Sequence, residues 1–96
     1  NQGEFSGLGN NQMLACDPAT GEVRRFLSGP VNCEITGATL TPDGSTLFVN
    51  IQHPGEPPAE RSDPDQVNQY SRWPYGERPR SATVAIRRDD GGPIGT

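Results

Sequence analysis

The chain has 96 residues, a net charge of −4, and hydrophobic side chains at only 30% of its positions, so it has room for one small domain with a thin core. Its 8 basic residues are all arginine, and they form no stripe: Arg24-Arg25 and Arg87-Arg88 are isolated pairs and the other four stand singly. That disfavours nucleic acid as a partner, because phosphate neutralisation needs clustered cations, and no apolar run is long enough to predict a membrane span.

Residues 1–11 are a glycine-rich polar entry without periodicity. A strand is predicted at about Gln12–Cys16. The segment DPATGE then reads as a hairpin turn: Pro18 presets one dihedral and Gly21 supplies a left-handed residue. The chain returns through VRRFL, and SGPVNCE connects it to the clearest stretch, ITGATLTPDGSTLFVNIQ. Strands are predicted there at 35–41 and 46–52, rich in Thr, Ile, Val, Leu and Phe, with Gly44 turning the chain between them. Leu47, Val49 and Ile51 share one face of the second strand, and Phe48, Asn50 and Gln52 share the other. Large apolar groups on both faces near its start predict cover on both sides. Residues 54–81 break the pattern with six of the 10 prolines. They read as a long loop in which Tyr70, Trp73 and Tyr75 suggest that part of it packs on something. A last strand is predicted within SATVAIRRD, with Ala82, Val84 and Ile86 on one face.

The fold class expected is all-β: antiparallel hairpins in series, as in sandwiches, barrels and propeller blades. The phrasing favours the last one to two blades of a β-propeller. Thr36, Gly37 and Ala38 are small enough for an innermost strand, where blades converge on a narrow axis. On this reading about 1–30 end one blade and 31–96 form the next, with the loop 54–81 as an excursion, all within a single propeller domain. A piece of a longer chain would show the thin core seen here.

Cys16 and Cys33 are too few for a zinc site of four ligands. A disulfide requires an oxidising compartment, and two free thiols are the plainer reading, Cys16 packing in a strand and Cys33 in a loop. Asp63-Pro64-Asp65-Gln66 resembles a calcium loop only superficially, since it lacks the glycine and terminal glutamate of an EF-hand. Asp17 and Asp43 read as turn chemistry. Arg72, Arg78 and Arg80 read as solvated arginines, although arginine also suits phosphate.

The stretches GNNQMLACDPATGEVRRFLSGP, CEITGATLTPDGSTLFVNIQHPGE, SRWP and RPRSATVAIRRDDGGPIG, in this order and spacing, resemble the C-terminal end of the PhoX-type alkaline phosphatases. The resemblance covers about residues 7–95. T-P-D-G-x-x-L-F-V alone is common among propellers. Its joint occurrence with E-x-T-G, Q-H-P-G-E and R-P-R-S-A-T-V-A-I is specific.

The resemblance implies a six-bladed β-propeller that hydrolyses phosphate monoesters with calcium and ferric iron held on its axis. It also implies export by the twin-arginine route, and hence a periplasmic or extracellular location. Most cluster ligands and the phosphate-binding arginine of the family belong to other blades, which would be this segment's partners. Cys33 is not matched to the family's iron-binding cysteine. Glu34, in E-x-T-G at the entrance to the presumed innermost strand, is the metal-ligand candidate, since hard cations want oxygen donors. The plain alternative is a solvated loop glutamate.

Thr36, Gln52, His53 and Glu56 are candidates for supporting the ligand or walling the substrate. Thr36 offers a hydroxyl to a ligand or phosphate oxygen. Gln52 and His53 would orient ligands or hold the following loop, and Glu56 would cap backbone amides or reach a cation. The ordinary readings are strand and loop residues. His53 has no second ligand at a helpful spacing and no serine nucleophile motif beside it. Two other readings fit T-P-D-G: a calcium-dependent lactonase-like propeller, and a non-catalytic propeller that binds a partner through its long loop.

Overall fold

Short apolar clusters bounded by turn residues form strands at the five expected places. The computed structural model describes Glu4 and residues 6–57, 64–66 and 69–95. Its strands are β1 (Gln12–Cys16), β2 (Val23–Ser28), β3 (Glu34–Leu40), β4 (Thr46–Gln52) and β5 (Ala82–Arg87). β1 and β2 form a two-stranded sheet, and β3, β4 and β5 form a three-stranded sheet in that order, every pair antiparallel. β3 begins one residue earlier than expected, so Glu34 belongs to the strand and pairs with Gln52 rather than lying on the preceding connection. No helix among the described residues is long and apolar enough to cross a membrane.

The turns follow from their side chains. Asp17 accepts a hydrogen bond from the Ala19 N–H at 2.8 Å, and Gly21 takes φ +73°. In the β3–β4 turn, Asp43 Oδ1 accepts from the Thr41 hydroxyl at 2.6 Å, the Ser45 N–H at 3.0 Å and the Ser45 hydroxyl at 2.9 Å. These bonds, led by that from Thr41, hold the Asp43 carboxyl down at about 2 from an ordinary 3.8. A carboxylate depressed in the folded state contributes stability above its unfolded pKa and loses it as pH falls through the folded one. Asp43→Asn is therefore expected to lower stability at neutral pH. The gap to the parent should close as pH drops from about 4 to about 2, read from denaturation midpoints across that range.

The core is one face of β4. Leu47, Val49 and Ile51 are buried there, Val49 completely, and Cys33 joins them. Ala82, Val84 and Ile86 of β5 lie on the same face, opposite Ile51, Val49 and Leu47. The other face is open. Phe48 is 39% exposed, so the cover expected on both sides of this hairpin is not supplied by the described residues; Leu40, opposite Leu47 at the end of the core face, is 52% exposed as well. Leu14, Val23 and Phe26 of the first sheet are exposed as well. The chain exposes 7063 Å², against roughly 5,400 Å² for a compact domain of this length.

A bulge sets which β3 residues meet which face. Leu40 pairs with Leu47 and Thr39 with Phe48, but beyond the bulge Thr36 pairs with Asn50 and Glu34 with Gln52. Gly37 and Ala38 together oppose Val49, and Gly37 takes φ +52°, the left-handed bulge geometry that glycine serves. Uninterrupted pairing from the turn would have put Thr36 and Glu34 on the core face and Ile35 outside. The extra residue reverses that. Glu34 and Thr36 join Asn50 and Gln52 on the open face, and Ile35 pairs inward with Ile51.

The long loop is anchored where it is described. Gly55 approaches Ser71 and Pro79 so closely that a Cβ there would lie 3.0 Å from Ser71 Cβ. Trp73 is half-buried, its carbonyl accepting from the Arg80 N–H at 3.2 Å, while Tyr70 and Tyr75 are exposed. The Arg80 guanidinium stands 5.9 Å from the centre of the Tyr75 ring, and Arg72, Arg78 and Arg80 are solvent-exposed. Pro64–Gln66 makes one turn of 3-10 helix. Asp63, with the rest of 58–63 and 67–68, lies outside the described residues, as do positions 1–3, 5 and 96.

Both cysteines are free, Cys16 in β1 and Cys33 in the loop before β3 as expected, but Cys16 is exposed rather than packed and it is Cys33 that is buried. Cys33 fills the space over Gly29, where a Cβ would overlap its sulfur.

Candidate functional site

The register places a polar row on the open face of the second sheet. Glu34 lies opposite Gln52, and Thr36, Asn50 and Thr83 stand side by side across β3, β4 and β5. His53 follows at the end of β4 with φ +37°, a left-handed conformation that costs a non-glycine residue about 1–3 kcal/mol. Several bonds hold it there. The His53 N–H donates to the Ser81 hydroxyl at 2.9 Å, and its carbonyl accepts from the Glu56 N–H at 3.1 Å. The turn is tied to the loop before β3 by Gly55 N–H donating to the Val31 carbonyl at 2.8 Å and Asn32 Nδ2 donating to the Glu56 carbonyl at 2.9 Å. Asn32 itself takes φ +54°.

This conformation sets the imidazole between two carboxylates. His53 Nε2 lies 3.8 Å from Glu34 Oε2, and Nδ1 lies 3.0 Å from Glu56 Oε2. The second contact forms no hydrogen bond, and the buried Nδ1 has no hydrogen-bond partner among the described residues. Three of the five residues singled out from sequence therefore meet: Glu34, His53 and Glu56. Gln52 neighbours Glu34 across the ladder, and Thr36 stands one rung further along.

The carboxylates sit at opposite edges of the ring, so they do not converge on one point. Accordingly, no group of three His, Cys, Asp or Glu side chains among the described residues could hold a metal ion. A complete calcium or iron site does not fit this chain alone. A single contributed donor does fit: the Glu34 side chain is 60% exposed on the open face and is steadied at one edge by His53. Cys33 is a poor donor, because burial first, and the Glu34 carboxylate second, push its thiol above the ordinary value, whereas the metal ligand is the thiolate.

The polar row frames an open depression of about 350 Å³ lined by Thr36, Asn50, Ile51, Gln52, Ser81, Ala82 and Thr83. No charged side chain lines it. Asn32, Asn50, Ser81 and Asn11 were not singled out as site residues. Asn11 ties the two sheets, its carbonyl accepting from the Gly29 N–H at 2.8 Å and its side-chain Oδ1 from the Ile35 N–H at 2.9 Å. Only the asparagine-rich entry GNNQ hinted at such a clasp.

Residues 1–55 match the family described as alkaline phosphatase PhoX. A solved structure, Pseudomonas fluorescens PhoX in complex with vanadate, a transition state analogue, is similar over nearly the whole chain. It is 50% identical with a TM-score of 0.73, and the match covers 99% of this chain and 15% of that one. The chain thus spans a small part of that protein's length. No curated protein matches.

Proposed function

The chain belongs to the alkaline phosphatase PhoX family, and from that premise we propose that it is a C-terminal segment of an exported, metal-dependent phosphatase that hydrolyses phosphate monoesters. The observation that carries this is 50% identity over 99% of the chain to a protein solved with vanadate. We read the sheets as parts of two neighbouring propeller blades, about 1–30 and 31–96. In support, β3 is an edge strand whose Gly37 and Ala38 are exposed, as suits the strand nearest an axis. The exposed Phe48, Leu40, Leu14 and Val23 are faces that other blades would cover.

In this proposal Glu34 supplies one hard oxygen donor to a cation on the axis, calcium or ferric iron. The bound cation would neutralise charge developing on the phosphoryl group and polarise it. His53 steadies the Glu34 carboxylate from one side and is itself backed by Glu56, a positioning role of the kind that outer partners play around metal ligands. Thr36 and Gln52, on the same face, form part of the wall against the ester. The twin-arginine route of the family would place the protein in the periplasm or outside the cell.

The test is hydrolysis of p-nitrophenyl phosphate by the longer protein that contains this segment. The expected result is turnover that a calcium chelator abolishes, returning with added calcium, and that vanadate inhibits. The 96-residue chain alone should be inactive with the same metals. Turnover insensitive to chelation, or activity in the isolated segment, would overturn the reading.

A further inference from the structure

Glu34 is the first residue of an edge strand, and on its side of the bulge only Glu34, Ile35 and Thr36 pair with β4. So short a ladder at a strand end opens easily by itself. A brace for it comes from the other sheet. Asn11 Oδ1 accepts the Ile35 N–H at 2.9 Å, so the peptide that links Glu34 to Ile35 is held from outside its own sheet.

Asn11 is itself fixed. Its carbonyl accepts from the Gly29 N–H at 2.8 Å, one step beyond the outermost pair of β1 and β2, Gln12 and Ser28. Asn10 Nδ2 donates to the Gly29 carbonyl at 3.1 Å, which ties down the other side of that residue. Gly29 in turn seats both chain neighbours of Glu34. A Cβ on it would overlap the Cys33 sulfur and stand 3.3 Å from Ile35 Cγ1. Cys33 and Ile35 therefore rest on the end of the first sheet, while Glu34 between them turns to the open face. Every one of these contacts joins two residues of this chain, so none needs a free surface.

We propose that Asn11 is a positioning residue for Glu34: acting through the Ile35 N–H, it holds the start of β3 where the Glu34 carboxylate meets a cation. The inference rests on the reading of Glu34 as a metal donor given above. A donor held in place before the metal arrives binds it without the cost of ordering the strand end.

The experiment uses the longer protein, stripped of metal, with calcium alone as the titrant. Asn11→Ala removes the acceptor, and Asn11→Asp keeps an oxygen in its place. Asn10→Ala loosens the same junction but leaves the Ile35 bond. Calcium affinity is read by isothermal titration calorimetry, and the Ile35 amide by hydrogen–deuterium exchange. Asn11→Ala is expected to speed exchange at Ile35 and to weaken calcium binding about three- to tenfold, the span that one net hydrogen bond carries. Asn11→Asp should restore the protection and most of the affinity. Asn10→Ala should keep the parent's calcium affinity while its unfolding midpoint falls. Unchanged exchange in Asn11→Ala, or faster exchange with unchanged affinity, overturns the positioning role and leaves the phosphatase reading standing. Equal losses of affinity in Asn10→Ala and Asn11→Ala overturn it too, since a general loosening of the junction would explain both. A parent that binds no calcium overturns the metal reading of Glu34 and this inference with it.

Discussion

Replacing Glu34 by alanine in the longer protein is expected to remove a bound cation and to lower phosphatase activity by more than about 100-fold, beyond the roughly 10–100-fold range of residues that only support a ligand. The expectation starts from the backbone. The bulge at Gly37 and Ala38 turns Glu34 to the open face of the sheet, and its pairing with Gln52 fixes its height along the strand. Its carboxylate is exposed, and its one ion-pair neighbour among the described residues is the edge of the His53 ring, at 3.8 Å. A surface carboxylate of purely structural use would be nearly neutral when removed. His53→Ala is expected to fall within the roughly 10–100-fold range in metal affinity, because it removes the brace and leaves the donor. Metal analysis of the purified variants beside their activity separates the cases. Unchanged metal content in Glu34→Ala would sink Glu34 as a ligand, and a larger loss in His53→Ala than in Glu34→Ala would exchange their roles.

Strands were readable because alternation leaves a mark that no other structure imitates. Leu47, Val49 and Ile51 fall two apart and occupy the buried face of β4, and Gly21 and Gly44 sit at the left-handed positions of their turns. The meeting of Glu34, His53 and Glu56 was not readable in the same way. His53 looked alone because spacing along the chain was the only measure at hand, and Glu34 lies nineteen residues before it. The open face that Glu34 takes depends on one extra residue in β3, and the placing of the imidazole on a positive φ at a histidine, where glycine or asparagine would be the ordinary choice. Gly37 was read as merely small, which is true of its outward side and misses why glycine is needed. The open face of Phe48 was misjudged for a related reason. Periodicity tells which residues want cover and is silent on whether this chain or another part of the protein supplies it.

Gly37→Ala is expected to destabilise the fold by about 2 kcal/mol and to disturb the site at the same time. A residue with a Cβ at φ +52° costs about 1–2 kcal/mol in backbone conformation alone. The new methyl would also stand 2.8 Å from Asn50 Nδ2, an amide that cannot simply swing away without losing its bond from Thr83. If the bulge is squeezed out instead, the register beyond it slips by one residue. Glu34 and Thr36 then turn toward the core and Ile35 turns out, which is worse for packing and for chemistry alike. The two contributions can be separated by a double-mutant cycle read from chemical denaturation. In an Asn50→Ala background the contact is gone, and Gly37→Ala should cost only its backbone part, about 1–2 kcal/mol. Gly37→Asn, which tolerates the left-handed region better, should retain more backbone stability than Gly37→Ala once Asn50 has been shortened. A Gly37→Ala protein as stable as its parent, with its metal content intact, would show that the bulge does not depend on glycine and that the facing of Glu34 is set elsewhere.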